Sequence, residues 1–352
     1  MNGFTREELF KLSWQRPILA QIELTNKCNQ LCSFCYQKRT AEKTELSFEE
    51  WQLIISKLMK LGVNRLDFTG SENLMLPYFK DLIIWSKERK LKIRVNTNGT
   101  HNVSACLPYI DELIFSVHGL KDIHDKLVGY PGSFSLLETN LNRSLQSGAQ
   151  TSINMTLVRS NYHQLLDVFS YFNSLYKIHK FAPVIPINSP NSTLDDDMLV
   201  LDVELMDDYF KKLRLIPIDK LTIKHGLQSI FINAPNHYKS SGFTLPNCAG
   251  GKYKLIVDSD GRVFPCNFFK EENFYCGNIL TDDEPLIWHH GKGFTLFREL
   301  ILEEKIPAKC KSCLKKARCF SGCRAWSSSY NKGGFEYTSD KRCKIGSAFI
   351  RS

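Results

Sequence analysis

Two rhythms of apolar residues alternate along the first half of the chain. Short runs at 18–24, 65–68, 92–96, 112–117, 152–158 and 181–187 read as buried strands. Between them, apolar positions recur three and four residues apart. In 48–61 these are Trp51, Ile54, Ile55, Leu58 and Leu61, the stripe of an amphipathic helix. Ser47 with Glu50 three residues on reads as a capping box, and Gly62 as a stop. Further helices are expected at 75–89, 133–147 and 162–175, with a short helix or extended arm at 4–16. Strand then helix, in units of roughly thirty residues, predicts an α/β fold with a parallel sheet and helices on its back. Periodicity alone does not separate a closed eight-stranded barrel from an open six-stranded one. The count reaches six before the rhythm breaks near 183–190.

Residues 191–243 read as a connector with one helix at 196–213. From 244 the elements become short and irregular, and cysteines accumulate. Of twelve cysteines, eight lie at or after Cys248. The expected division is 1–17 lead-in, 18–190 barrel, 191–243 connector and 244–352 cysteine-rich domain. No run of about eighteen apolar residues predicts a membrane span, and the first seventeen residues hold no signal-peptide core. The chain is therefore expected in the cytoplasm, where twelve cysteines argue for metal rather than disulfides. The net charge of +9 is spread along the chain without a dense basic stripe, which argues against nucleic acid.

The chemistry concentrates at Cys28, Cys32 and Cys35, spaced C-x3-C-x2-C on the loop after the first strand. A cubane iron–sulfur cluster normally takes four thiolates. Three on one loop leave the fourth iron open to a small molecule. A zinc site is the alternative, but such sites are usually four-coordinate and often built from C-x2-C pairs. The position after a strand fits a catalytic loop at the C-terminal mouth of a barrel.

This loop, with Tyr36 after the third cysteine, resembles the signature of the radical S-adenosylmethionine (SAM) enzymes. The resemblance implies an open, partial (β/α)6 TIM-like barrel. It also implies a [4Fe–4S] cluster chelated by SAM, and a 5′-deoxyadenosyl radical that takes hydrogen from the substrate. The loop Gly70-Ser71-Glu72-Asn73 resembles the family's Gly-Gly-Glu-Pro loop, with Ser71 and Asn73 departing from it. Tyr36, Gly70, Ser71, Glu72, Asn98, Ser116 and Asn154 are the implied SAM-contact residues. His118 is read either as a substrate contact or as structural, and Cys106 as a small buried side chain or a hydrogen-atom donor.

The later cysteines resemble a SPASM domain: Cys248, Gly261, Cys266, then Cys310-x2-Cys313-x5-Cys319-x3-Cys323, then Cys343. Two auxiliary [4Fe–4S] clusters are implied. Cys310, Cys313, Cys319 and Cys343 would hold the outer one, and Cys248, Cys266 and Cys323 the inner one. Cys276 is the expected fourth ligand of the inner cluster, or else a free thiol.

The resemblance points to a maturase that crosslinks a ribosomally made peptide through a C–C or C–S bond. It implies a flavodoxin- or ferredoxin-type electron donor. The seventeen residues ahead of the first strand leave no room for a leader-binding domain, so either the barrel and connector are expected to bind the precursor directly or a separate leader-binding protein does. Alternatives are a peptide epimerase, a formylglycine-forming sulfatase maturase, a small-molecule dehydrogenase, or a non-catalytic electron-transfer protein.

Overall fold

The computed structural model describes residues 16–37, 45–187, 194, 198, 203–222, 248–300, 305–311, 322–331 and 334–337. The lead-in at 1–15, most of the connector, and Cys313, Cys319 and Cys343 lie outside the described residues.

Six strands pair in parallel, each with the next in sequence. They are β1 (Leu19–Ile22), β2 (Arg65–Phe68), β3 (Lys92–Thr97), β4 (Glu112–Ser116), β5 (Gln150–Thr156) and β6 (Phe181–Val184). Helices α1 (Phe48–Leu61), α2 (Phe79–Glu88), α3 (Asp122–Val128), α4 (Ser133–Gln146) and α5 (Leu165–Tyr176) lie between them. The Ser47–Glu50 capping box forms with both reciprocal bonds, and Gly62 ends α1 at φ +111°. Helix α2 begins four residues later than the pattern predicts. Leu76 precedes Pro77 and is extended (φ −81°, ψ 126°), because the proline ring disfavours helical geometry in the residue before it. Helix α3 was not predicted. At seven residues it is too short for its apolar spacing to register.

The sheet is open and larger than six strands. Its order is β6-β5-β4-β3-β2-β1-β7-β8-β9, with β7 (Lys254–Val257), β8 (Arg262–Phe264) and β9 (Gly277–Asn278). Strand β7 pairs in parallel with β1, Leu19 opposite Lys254, and β8 and β9 continue antiparallel. The first strands of the cysteine-rich region are thus an extension of the barrel sheet. At the other end, the edge of β6 is capped by a bridge from Phe181 to Leu221.

Strand residues alternate between two faces. Ile22, Phe68, Val95, Phe115 and Met155 have no exposure and lie among the helix side chains; Phe68, for example, meets Phe79 of α2 edge-on at 5.5 Å. The opposite face carries a polar ladder. Lys254 donates to Gln21 (2.8 Å), and Gln21 to Asp67 (3.1 Å). Asn96 also donates to Asp67 (2.8 Å), and Arg94 lies 3.4 Å from Asp67 and 3.6 Å from Glu112. Ser152 completes the row by donating to Glu112 (2.7 Å). A closed barrel of this type fills its interior with branched apolar side chains. Here that face is predominantly polar, with Ile114 and Ile256 as buried apolar members among the ladder residues. Among the described residues no helix is long and apolar enough to cross a membrane.

Candidate active site and cysteine centres

The cysteine loop leaves the C-terminal end of β1 and is held by its neighbours. Its backbone donates from Leu31 to Val128 O (2.8 Å) and from Ser33 to Leu127 O (3.1 Å), so the end of α3 cradles it. Gln30, buried between Cys28 and Cys32, donates to Ser133 Oγ (2.7 Å) at the start of α4. Ser133 in turn meets His124 Nε2 (3.2 Å). The other ring nitrogen of His124 accepts from His118 N (3.1 Å), and His118 Nδ1 accepts from Thr156 N (3.1 Å). Burial holds both histidines below the usual imidazole range, His124 at about 4, as acceptor nitrogens demand. His118 and His124 therefore lock the loop to β4 and β5 as neutral rings.

The structure gathers several predicted residues around this loop. Asn98, after β3, donates to Asn29 Oδ1 (2.8 Å) and lies 3.8 Å from Cys28 Sγ. Glu72 N donates to Lys27 O (3.1 Å), joining the Gly70-Ser71-Glu72 loop to the cysteine loop. The Glu72 carboxylate is buried and turned to β3. It accepts from Asn98 N (2.7 Å), Leu74 N (3.2 Å) and Thr97 Oγ1 (3.1 Å). Its side chain is thus a strut between loops. Ser71 Oγ donates to Gln37 Oε1 (2.8 Å). Ser116 and Asn154 sit opposite one another on β4 and β5, half-buried on the polar face. Cys106 lies within electrostatic reach of Lys80 and Asp81 of α2, and burial raises its thiol; it stands with the helices rather than at the mouth.

Gly70 has φ +94°, and a Cβ would meet Gln37 Nε2 at 2.9 Å and Glu23 Cγ at 3.0 Å. Gly70→Ala is expected to destabilise the protein by about 1–3 kcal/mol, read as a lowered thermal midpoint. Burial pushes Glu72 up to about 7 against the pull of Asn98, Leu74 and Thr97. The folded state then holds this proton more tightly than the unfolded chain. Stability contributed by this group is full below about 4.5 and falls as pH rises towards 7. Glu72→Gln is expected to flatten that slope in unfolding free energies measured across the interval.

Sequence reasoning missed Glu23. It follows β1 with no exposure, and it gathers Tyr36 Oη (3.3 Å), Gln37 Nε2, Asn267 Nδ2 (2.8 Å) and Lys270 Nζ (2.5 Å). Lys270 also reaches Asp258 at 3.4 Å. Tyr36 and Gln37 belong to the first cysteine loop, and Asn267 and Lys270 follow Cys266. One buried carboxylate therefore clamps the two cysteine-bearing regions together. Burial, then the Glu23 charge, push the Tyr36 phenol well above its ordinary value, so it acts as a donor. The sequence held a signal: polar Gln21 and Glu23 at alternate positions of an otherwise apolar run.

In the second region, the hairpin β7–β8 turns at Gly261 (φ +82°), where a Cβ would come within 2.6 Å of Asn278 Oδ1. This fold brings Cys266 towards Cys248. Burial pushes the Cys266 thiol up, Lys254 pulls it down, and Cys248 pushes it up again, with Arg324 exerting a weaker downward pull. Cys323 precedes Arg324 and so belongs to the same neighbourhood. Cys310 lies on the helix Ala308–Lys311, half-buried. The nine described cysteines are thiols, none in a disulfide. Cys276, like Cys106, is buried. Its sulfur donates to Phe274 O (3.4 Å), and burial raises its thiol far above the ordinary range.

The residues fit iron–sulfur groups. At the first centre the donors are three thiols on one loop, with glycine loops packed against it. At the second, Arg324 offers a buried guanidinium with Nε and Nη1 unpartnered, a cation awaiting an anion beside thiol donors.

Comparison with known proteins agrees with this geometry. The radical SAM superfamily model matches residues 22–172, and that of the iron–sulfur cluster-binding SPASM domain matches 248–314. The chain is 26% identical over 307 residues to the sporulation killing factor maturation protein SkfB of Bacillus subtilis, covering 85% of this chain and 70% of that one. It is 27% identical over 331 residues to the mycofactocin maturase MftC of Mycobacterium tuberculosis, covering 90% and 81%. It is 24% identical over 349 residues to the AdoMet-dependent heme synthase of Nitratidesulfovibrio vulgaris, covering 91% and 90%. Among solved structures, Streptococcus suis SuiB bound to its precursor peptide SuiA superposes with a TM-score of 0.71 at 18% identity, covering 91% and 75%. The anSMEcpe structure with bound AdoMet and the Cp18Cys peptide superposes with a TM-score of 0.72 at 17% identity, covering 95% and 96%. A radical SAM domain uses one SAM-binding [4Fe–4S] cluster, and a SPASM domain typically adds two auxiliary ones. The chain carries a radical SAM superfamily domain that continues, on the same sheet, into a SPASM iron–sulfur cluster-binding domain.

Proposed function

We propose that the protein is a maturase that oxidatively crosslinks a residue of a ribosomally made peptide. The observation that carries this reading is the placement of two thiol centres on one continuous sheet, clamped by Glu23, in a chain similar to the maturases SkfB and MftC. When bound at Cys28, Cys32 and Cys35, the cluster and SAM supply the 5′-deoxyadenosyl radical that removes a hydrogen atom from the substrate. The chain's residues arrange this chemistry. Gln30, Asn98 and the end of α3 fix the cysteine loop. Gly70 and Ser71 offer backbone to the ligand, and Ser116 and Asn154 offer polar contacts from the barrel's inner face. The polar ladder lines the entry for a peptide segment. Closing the new C–C or C–S bond removes one further electron and one proton, so the product lacks two hydrogen atoms. Cys248, Cys266 and Cys323 would hold the electron acceptor, and a flavodoxin or ferredoxin would reduce the first centre. A separate protein would present the leader peptide in the cytoplasm.

The test is co-expression with a candidate precursor peptide, followed by mass spectrometry. A mass loss of two hydrogens supports the reading. An unchanged mass with inverted stereochemistry makes the enzyme an epimerase. The near end-to-end likeness to a heme synthase keeps a tetrapyrrole side chain as the second substrate class. Turnover of a porphyrin propionate but of no peptide would replace the first reading with that one.

A further inference from the structure

Arg324 is 2% exposed, yet its Nε and Nη1 have no hydrogen-bond partner, and among the described residues no carboxylate pairs with it. Its guanidinium is held over the ring of Phe297, with 4.3 Å from Cζ to the ring centroid. The same ring packs on Gly250, two residues after Cys248, where a Cβ would lie 3.1 Å from it. Arg324 itself directly follows Cys323, and its charge is felt at Cys266. The three segments that supply the inner cysteines therefore meet around one guanidinium. A buried cation with unsatisfied donors is costly unless an anion accompanies it. Phe297 offers a weak cation–π contact and accepts no hydrogen bond in the guanidinium plane. The donors remain available to sulfur.

We propose that Arg324 is the counter-charge of the inner auxiliary cluster, and that it raises that cluster's reduction potential. The inference rests on the cluster assignment of the preceding section. Thiolate-ligated iron–sulfur groups carry net negative charge, and potentials respond to nearby charge and to hydrogen bonds on sulfur. One-electron reduction adds one negative charge, which a fixed cation in a dry site stabilises. In the proposed reaction, that electron comes from the substrate after it has given up its hydrogen atom. The accompanying proton leaves to solvent. A higher potential makes this step more favourable and its reversal less so. Arg324 touches no reacting atom; it acts through the cluster.

The experiment uses full-length, anaerobically reconstituted protein carrying Cys28→Ala, Cys32→Ala and Cys35→Ala, which leaves only auxiliary iron. Potentials are read by dithionite titration with mediators, followed by electron paramagnetic resonance, alongside iron and sulfide content. Arg324→Met is expected to make reduction of one auxiliary cluster at least tenfold less favourable, 59 mV for one electron, with the other unchanged. Arg324→Lys, which keeps the charge, is expected to shift it by less. If Arg324→Met loses the inner iron while Arg324→Lys keeps it, the counter-charge is again supported. Unchanged potentials in Arg324→Met, equal shifts in both variants, or iron loss in both would overturn the proposal. Absence of auxiliary iron before any change at Arg324 would instead overturn the cluster assignment, and the inference with it.

Discussion

Protein with Cys28, Cys32 and Cys35 all replaced by alanine is expected to cleave no SAM above background. The drop should be at least about 10⁶-fold, the lower end of enzymatic accelerations. The reason is that no other described thiol stands at this loop; Cys106 packs with the helices, and the remaining described cysteines, from Cys248 on, belong to the region that carries β7, β8 and β9. The loop's own support does not depend on the thiols. Backbone bonds to Val128 and Leu127, and the Gln30–Ser133 bond, remain in the variant. It should therefore stay folded and keep its auxiliary iron. The assay is 5′-deoxyadenosine formation under dithionite, with iron content measured on the same sample. Persistent cleavage in the variant would end the assignment of the first centre. So would wild-type protein that binds iron and sulfide yet leaves SAM intact under strong reductant.

Replacing Lys270 by methionine is expected to cost roughly 3–5 kcal/mol of stability, the usual penalty for breaking a buried ion pair from one side. Lys270 Nζ lies 2.5 Å from Glu23 and 3.4 Å from Asp258, and both carboxylates are almost wholly buried. Burial alone pulls the Lys270 ammonium down, but Glu23 and Asp258 outweigh it and leave it above its ordinary range. Methionine fills the same channel and removes only the charge. The double variant Glu23→Gln, Lys270→Met should recover part of the loss, since one of the stranded carboxylates is then gone. Denaturant melts of the four proteins give the coupling directly. A single variant within about 0.5 kcal/mol of wild type, the range of ordinary surface changes, would show that the clamp carries no load.

Much of this arrangement could be read from the chain, for identifiable reasons. The six parallel strands and most of their helices follow from apolar spacing. The cap at Ser47 and the stop at Gly62 formed as their chemistry dictates. The cysteine loop and the hairpin at Gly261 were legible because their residue types tolerate few other roles. What escaped was non-local. Pairing between β1 and β7 joins segments more than two hundred residues apart, and no local pattern announces it. Glu23, Lys270 and Arg324 looked like ordinary charges because burial is a property of the folded chain. Glu72 shows the same limit from the other side. Its position in the loop was readable, but the direction of its carboxylate, towards Thr97 and Asn98, was not.

The seating of β1 between β2 and β7 also bears on how the chain is made. Lys254 trails its partner Leu19 by 235 residues (254 − 19). At ordinary rates of synthesis, roughly 5–20 residues per second, one flank of this central strand waits about 12–50 s for its neighbour to leave the ribosome. Throughout that interval a row of amide and carbonyl groups is open to any passing strand. Slow translation or early termination ahead of residue 254 should accordingly yield insoluble nascent chains, and a barrel excised from its tail should inherit the same adhesive flank.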